Sequence, residues 1–355
     1  MARDILATIK KCSMVFSNGE DVLVTGKTVW LFRANGEFIK KLEAVRRPQK
    51  VAFLPNHTAL VDSGVDRAYH YLDLKSGDIL WATKMRGRRS GEVFRFAVTP
   101  DGSTVYNLFY AYRGPARFLH VERIIPAEHI HDVFPVKEPL RLTGNLAITG
   151  DLFCDRDGTL CALQYKNITR YEDYDDMDPP QVIFHYGILA LPIQDGILRP
   201  YWKADWKEEK AGKRYSPRAC DGRYILYEDL SILDLETRHT FFLLNDASRE
   251  SLPVSPFQYF YDPAHSLLTL WYADPYQNVI IDCKNRTLVG RYFPENPFEA
   301  GYGGCLIGDR FWMGTTGGVV RKPFPSIEPP IPQPSPEKAW LAENSKFYAK
   351  HPELW

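Results

Sequence analysis

The chain carries no excess of either charge. Its 355 residues include 44 Lys and Arg against 44 Asp and Glu. That balance excludes a protein that holds polyanions by bulk charge, and it disfavours nucleic acid as a partner. No apolar stretch approaches the ~18–20 residues of a membrane-spanning helix. The longest, Tyr186 to Ile193, is interrupted by Gly187 and Pro192 and reads as a strand. The opening residues place Asp4 near the start and lack the apolar core of a secretory leader, so a cytoplasmic location is expected. Six cysteines (Cys12, Cys154, Cys161, Cys220, Cys283, Cys305) are scattered without a C-x-x-C. This fits reduced, mostly buried thiols better than a disulfide framework. G-x-S-x-G, G-x-x-x-x-G-K-S/T, G-x-G-x-x-G and H-E-x-x-H are all missing. Gly303-Gly304 and Gly317-Gly318 precede no helix, so they are not phosphate loops. They suit places where inner strands crowd together.

What is present is β-structure. The chain is 45% hydrophobic, with 20 Phe, 20 Tyr and 8 Trp. Helical periodicity is almost absent before residue 335. Short runs of β-branched and aromatic residues alternate with turn chemistry instead. One piece recurs: a strand, a polar turn, another strand. Leu72-Asp73-Leu74-Lys75-Ser76-Gly77-Asp78-Ile79-Leu80-Trp81 is its clearest copy. Leu233 to Arg238 and Ile281 to Arg286 match it. Leu31 to Gly36 and Leu191 to Gly196 are looser copies, and further copies are inferred near Val121 and Val320. The positions equivalent to Asp73 are then Phe32, Val121, Pro192, Asp234, Asp282 and Val320. They recur at roughly 40–50 residues, the spacing of propeller blades. The exception is the 71-residue interval from Val121 to Pro192, which reads as containing an insertion from Lys166 to Pro180. A second piece precedes each marker: Val51 to Asn56, Phe96 to Gly102, Tyr259 to Pro263. Asn18-Gly19, Asp157-Gly158, Asp221-Gly222 and Gly308-Asp309 mark the same place elsewhere. Asn-Gly and Asp-Gly tolerate positive φ and close tight hairpins.

Two hairpins per unit make a four-stranded antiparallel sheet, and seven units in series make a seven-bladed β-propeller. A sandwich or a pair of stacked barrels would need no fixed period. Six or eight blades stay open, because the long interval could hide a split unit. The run Leu72 to Trp81 resembles the repeat of quinoprotein-type propellers. Phe96 to Gly102 resembles the inner strand of WD-repeat propellers. The resemblance covers residues 1–322 and implies architecture. The Gly-His and Trp-Asp pairs of WD repeats are missing, as is the adjacent cysteine pair of quinoprotein sites. Pyrroloquinoline-quinone chemistry is therefore disfavoured and no cofactor is expected. Ile5 to Ile9 is expected to supply the outer strand of the final blade.

The turns set a register for the inner strands. Val51 and Phe53, Phe96 and Val98, Tyr259 and Tyr261 fall on a core face. Lys50 and Ala52, Arg95 and Ala97, Gln258 and Phe260 fall on the opposite one. Lys50, Arg95 and Gln258 should then ring a channel mouth, joined by Asp151 and Tyr215. The loops at the same end are basic. Arg46, Arg47 and Lys50 give +3 over residues 45–50. Arg86, Arg88, Arg89 and Arg95 against Glu92 give +3 again, and residues 207–218, with Arg218, a further +3. Such a mouth would attract an anionic ligand or an acidic segment of a partner. The acidic run Glu172, Asp173, Asp175, Asp176 and Asp178 lies at the same end. It lacks the central Gly and terminal Glu of a calcium loop. Glu128, His129, His131 and Asp132 form the best metal-like cluster, with both His on one face of a strand. Two ligands do not make a site.

Seven prolines between Pro323 and Pro336 disfavour an interior strand. Ser335, Pro336 and Glu337 then start a helix whose Trp340, Leu341, Phe347 and Tyr348 share one face. The expected organisation is a propeller over 1–322 and a tail with a C-terminal helix over 323–355. That helix would dock on its own propeller or on a partner. Two functions follow: a non-enzymatic binding or scaffolding propeller for a protein or small anionic ligand, or a hydrolase or lyase acting on a sugar or other small metabolite. With no assembled catalytic set, binding is preferred.

Overall fold

The computed structural model describes residues 9, 14–86, 96–113, 116–135, 146–170, 181–209, 217–220, 224–227, 229–237, 239–253, 256, 258–262, 265–273, 276–292, 301–307, 309–315 and 317–323. Arg88, Arg89, Arg95, Tyr215, the acidic run 171–180 and the tail beyond Pro323 lie outside them. Among the described residues no helix is long and apolar enough to cross a membrane.

Seven antiparallel sheets follow one another along the chain, and they are the seven blades of a β-propeller. The first sheet holds β1 (Met14–Ser17), β2 (Asp21–Thr25), β3 (Val29–Arg33) and β4 (Phe38–Leu42). The second holds β5 (Val51–Leu54), β6 (Thr58–Ser63), β7 (Ala68–Asp73) and β8 (Asp78–Lys84). The third holds β9 (Ala97–Val98), β10 (Val105–Arg113), β11 (Ala116–Ile125) and β12 (Ile130–Pro135). In the fourth, β13 (Leu146–Cys154), β14 (Leu160–Arg170) and β15 (Gln181–Ala190) are followed by a small hairpin, β16 (Ile193–Gln194) and β17 (Ile197–Leu198). The sheet is then completed by β18 (Tyr201–Glu209). The fifth holds β19 (Pro217–Cys220), β20 (Tyr224–Tyr227), β21 (Ser231–Asp234) and β22 (Thr240–Phe242). A short helix, α1 (Asp246–Glu250), precedes the sixth, which holds β23 (Gln258–Asp262), β24 (Leu267–Ala273), β25 (Tyr276–Asp282) and β26 (Thr287–Tyr292). The seventh shows β27 (Gly301–Ile307), β28 (Arg310–Thr315) and β29 (Gly318–Pro323).

The markers read from the sequence fall in third strands: Phe32 in β3, Asp73 in β7, Val121 in β11, Asp234 in β21, Asp282 in β25 and Val320 in β29. The aspartates recur for a physical reason. Asp73 Oδ1 accepts the backbone N–H groups of Lys75 (2.6 Å) and Ser76 (3.2 Å), closing the turn before the outer strand. Asp234 does the same for Glu236 (2.9 Å), and Asp282 for Asn285 (2.9 Å). Gly77, at φ +71°, completes the first of these turns. Two readings change. Pro192 lies just past β15, and Leu191 to Gly196 leads into the small β16–β17 hairpin, where Asp195 and Gly196 both take positive φ. The expected insertion also starts later than Lys166. Residues 161–170 of β14 pair with 181–190 of β15 without a break, so Lys166 to Arg170 extend a strand.

The chain divides into two compact units. One holds residues 27–31 and 39–241, the other 1–26, 32–38 and 242–355. In the first, Ala52, Leu60, Tyr69, Val105 and Ile124 join the second sheet to the third, with Phe96 and Val98 packed against them. Ala97, Leu108, Val121 and Phe134 join the third sheet to the fourth through Leu152, Leu160, Ala162 and Leu189. The expected division of each inner strand into core and channel faces is therefore corrected. Ala52 (4% exposed) and Ala97 (2%) are buried, because a blade meets a neighbour on both of its faces. Tyr261, expected in the core, is half exposed beside the turn that ends β23, while Tyr259 is buried. The middle strands follow the same logic. Every residue of β6 is buried, whereas β8 at the outer edge is mostly exposed.

In the second unit, Leu267, Ile280 and Val289 pack on Phe311 and Met313. Phe32 meets Trp312 edge-on at 5.4 Å. Gly304 is a place of close approach, since a Cβ there would lie 2.1 Å from the Trp312 carbonyl oxygen. Ile9, buried, is the one described residue of the opening segment. Its carbonyl oxygen would stand 2.6 Å from a Cβ on Gly318, so Ile9 itself lies against the first residue of β29, while residues 5–8 of the expected outer strand lie outside the described residues.

Candidate functional site

Two of the predicted basic residues, Lys50 and Arg46, have engaged side chains. Lys50, just before β5, donates from Nζ to Asn107 Oδ1 at 2.6 Å and sits 5.6 Å over the Phe96 ring. Its charge is turned between two sheets. Arg46 forms a two-point ion pair with Asp66, one bond being Nε to Oδ2 at 3.2 Å. Hydrogen bonds from Arg46 and Ser63 hold the Asp66 carboxyl down to about 2. Arg47 is exposed, with φ +48°, and its N–H donates to the Lys27 carbonyl at 3.1 Å. Asp151 lies in β13 where the pairing slips between Ile148 and Leu152. Arg218 lies in β19 at a similar slip, and Gln258 opens β23 opposite Trp271. The side chains of these three lie outside the described residues, as do Arg88, Arg89, Arg95 and Tyr215 altogether. Lys50 and Arg46 thus form separate partnerships, while Arg47 is exposed.

The structure also brings together a set of polar residues of which the sequence singled out only His131 and Lys50. Glu122 on β11 is only 1% exposed. Its Oε2 accepts the Tyr69 hydroxyl and the Asn107 Nδ2 (2.8 Å). Its Oε1 accepts the Arg86 backbone N–H at 2.8 Å and faces His131 Nε2 at 3.3 Å. Asn107 Nδ2 also donates to the Tyr69 oxygen at 2.7 Å. The other His131 nitrogen lies 3.1 Å from the Thr83 hydroxyl. The Nε2 atom is buried beside the carboxylate without an aligned hydrogen bond. Asp62 on β6 accepts the N–H groups of Gln49 (2.5 Å) and Lys50 (2.8 Å), fixing the chain as it enters the second sheet.

Burial pushes the Glu122 carboxyl up, but hydrogen bonds from His131, Tyr69, Asn107 and Arg86 outweigh it, and the net shift is down. Burial, followed by the charge of Glu122, drives the Tyr69 phenol well above its usual range. The network is an anion cage in which the Tyr69 hydroxyl, Asn107 Nδ2 and the Arg86 N–H hold the carboxylate. Glu122 and His131 form a carboxylate–imidazole pair, yet at 1% and 3% side-chain exposure they face no substrate. A buried network of this kind fixes how two sheets register on each other.

The metal-like cluster does not assemble. His129 follows the one-turn helix Pro126–Glu128 with φ +58°, outside the strand, so it cannot share a face with His131. Its ring stacks on Trp81 at 5.4 Å. His131 turns to Glu122, and Asp132 pairs with Arg123 at 2.6 Å. The signal for Glu122 was the pair Glu122-Arg123 inside an apolar strand. Alternation forces one of the two inward, and Arg123 already has Asp132 as its partner.

Neither a protein-family model nor a curated protein sequence matches the chain. Its fold is similar to that of solved structures. Kuenenia stuttgartiensis hydrazine synthase is 12% identical, with a TM-score of 0.53 over 90% of this chain and 97% of that one. The β-propeller domain of Cps50 (Swd1) from Myceliophteria thermophila is 13% identical, with a TM-score of 0.53 over 88% and 95%. Streptogramin B lyase is 10% identical, with a TM-score of 0.51 over 88% and 94%. At these identities the likeness is one of fold.

Proposed function

We propose that the protein is a non-enzymatic binding or scaffolding propeller. Its ligand would be a protein segment or a small anion, held at the end where successive sheets are connected. One observation carries this reading. The acid–base groups that the fold gathers, Glu122, His131 and Tyr69, face one another and are closed to solvent. The uneven charge supports it as well, since three connecting stretches carry +3 each on a chain of zero net charge. The Swd1 propeller domain is a structural neighbour compatible with such a role. A neighbour named streptogramin B lyase favours the alternative, a hydrolase or lyase acting on a small metabolite.

The test is capture of partners from the native source by the full chain, compared with a variant carrying Arg47→Glu, Arg88→Glu and Arg89→Glu. The expected outcome is a discrete partner or anion whose binding weakens roughly tenfold or more in the variant and falls with added salt. Unchanged binding with an unaltered melting temperature would remove the basic loops from the reading. Turnover of a metabolite by the purified protein would replace it with the enzymatic one.

A further inference from the structure

One end of the second sheet sets exposed positive charge around an exposed apolar side chain. Four segments are laced together there, all within one of the two compact units. The Arg47 N–H, in the connection from β4 to β5, donates at 3.1 Å to the carbonyl of Lys27, which lies two residues before β3. The N–H groups of Gly64 and Val65, in the turn between β6 and β7, donate to the carbonyls of Arg47 (3.3 Å) and Arg46 (3.5 Å). The Met85 N–H, just past β8, donates to the Arg67 carbonyl at 2.8 Å. Lys84 Nζ reaches the Asp66 carbonyl at 3.2 Å. Lys27, Arg47, Arg67, Lys84 and Arg86 are all exposed and belong to these segments. Val65, 47% exposed, stands among them.

The acids described in these segments are already engaged. Asp66 is held by Arg46 and by the Ser63 hydroxyl (2.9 Å). Glu43 pairs with Lys41 at 2.7 Å, and Asp62 is buried under backbone N–H groups. Lys27, Arg47 and Arg86, by contrast, have no ion pair among the described residues. The backbone that carries the charge is fixed. Arg47 (φ +48°) and Arg67 (φ +50°) take the left-handed conformation that residues with a Cβ seldom adopt, and both are clamped by the hydrogen bonds above. A surface held in this way loses little freedom on binding. Like charges on it repel one another, and the valine in their midst gains from being covered. A partner that answers both needs carries carboxylates around an apolar side chain. A small anion would leave Val65 bare, and single-stranded nucleic acid binds through bases stacked on aromatic rings, whereas these cations surround an aliphatic group. The ends of β5 to β8 span about 15 Å at the usual strand spacing, which an extended segment of about four or five residues covers.

We propose that this end of the second sheet binds a short extended peptide segment in which acidic residues flank an apolar one. The proposal rests on the binding reading above and chooses a peptide over a small anion. A random hexapeptide display library selected on the full chain tests it, with the winning peptides measured by fluorescence anisotropy. Enrichment of Asp and Glu around a Leu, Ile, Val or Phe position is expected. Arg47→Asn removes a charge while tolerating the left-handed backbone. Together with Lys27→Ala it should weaken the selected peptides roughly tenfold or more, and added salt should act in the same direction. Arg47→Gly, which relieves the backbone, should match Arg47→Asn. Val65→Ser should weaken the peptides roughly threefold or more without lowering the melting temperature. Absence of acidic enrichment overturns the proposal. So do selected peptides that bind the Lys27, Arg47 and Val65 variants as tightly as the parent. A labelled oligothymidylate bound more tightly than every selected peptide would give the surface to nucleic acid instead. Peptides lost only on Arg88→Glu with Arg89→Glu would overturn this location and leave the binding reading standing, whereas turnover of a metabolite would overturn that reading itself.

Discussion

Glu122 shows how one side chain can organise two sheets. Three donors converge on it, from Tyr69, Asn107 and the Arg86 backbone, with His131 beside them, so removing its charge strands several of them at once. Glu122→Gln should lower stability by about 1–3 kcal/mol in urea denaturation, because buried donors are left unmatched. The pH dependence has a definite sign. The carboxyl titrates below its reference value of 4.5 in the folded protein. Its contribution is therefore complete above that value and is lost as pH falls through the lowered folded one. Glu122→Gln should flatten this acid limb, and stability measured between pH 3 and 6 (a range chosen about that reference value,) checks it. A limb identical in the variant would show that other carboxylates set it. At this scale the sequence is legible where a side chain acts on its own neighbours, as Asp73 does. It is opaque where partners come from another sheet, as Tyr69 and Glu122 do across 53 positions.

Strands and turns were the most readable elements, because hairpin closure is local chemistry. Asn18-Gly19, Asp73 to Gly77 and Asp157-Gly158 each stand between consecutive strands. Faces were harder. A strand covered on one side alternates between apolar and polar, but β2 and β6 are buried throughout and alternate with nothing. The length of the β14–β15 hairpin was also hidden, since its far end carries polar residues such as Lys166 and Asn167 that read as loop. At Gly304 sequence and structure agree on crowding. Gly304→Ala would press a methyl group against the Trp312 carbonyl and the Phe311 ring, in the body of two paired strands. A loss of about 1–3 kcal/mol is expected. A melting temperature equal to that of the parent would mean that β27 can shift to make room.

Seven sheets could be counted from the sequence because the period survives even where individual copies are weak. The markers near Val121 and Val320 are poor matches, yet both fall in third strands. Among the described residues, Ile9 lies against Gly318 of β29. Deleting residues 1–10 should cost at least the burial of one isoleucine, about 1.5–3 kcal/mol, read as an earlier thermal transition. An unchanged transition would show that the opening segment is dispensable. There is also a consequence for assembly. Six of the seven sheets use consecutive strands, and the fourth departs only by a two-strand detour. A nascent chain can finish each sheet from residues it has just supplied, so little loop entropy is spent before contacts form. The contact made by Ile9 is of the opposite kind. It must wait for β29, the last of the described strands, to be synthesised, which makes the meeting of Ile9 with Gly318 a late event in an otherwise local process.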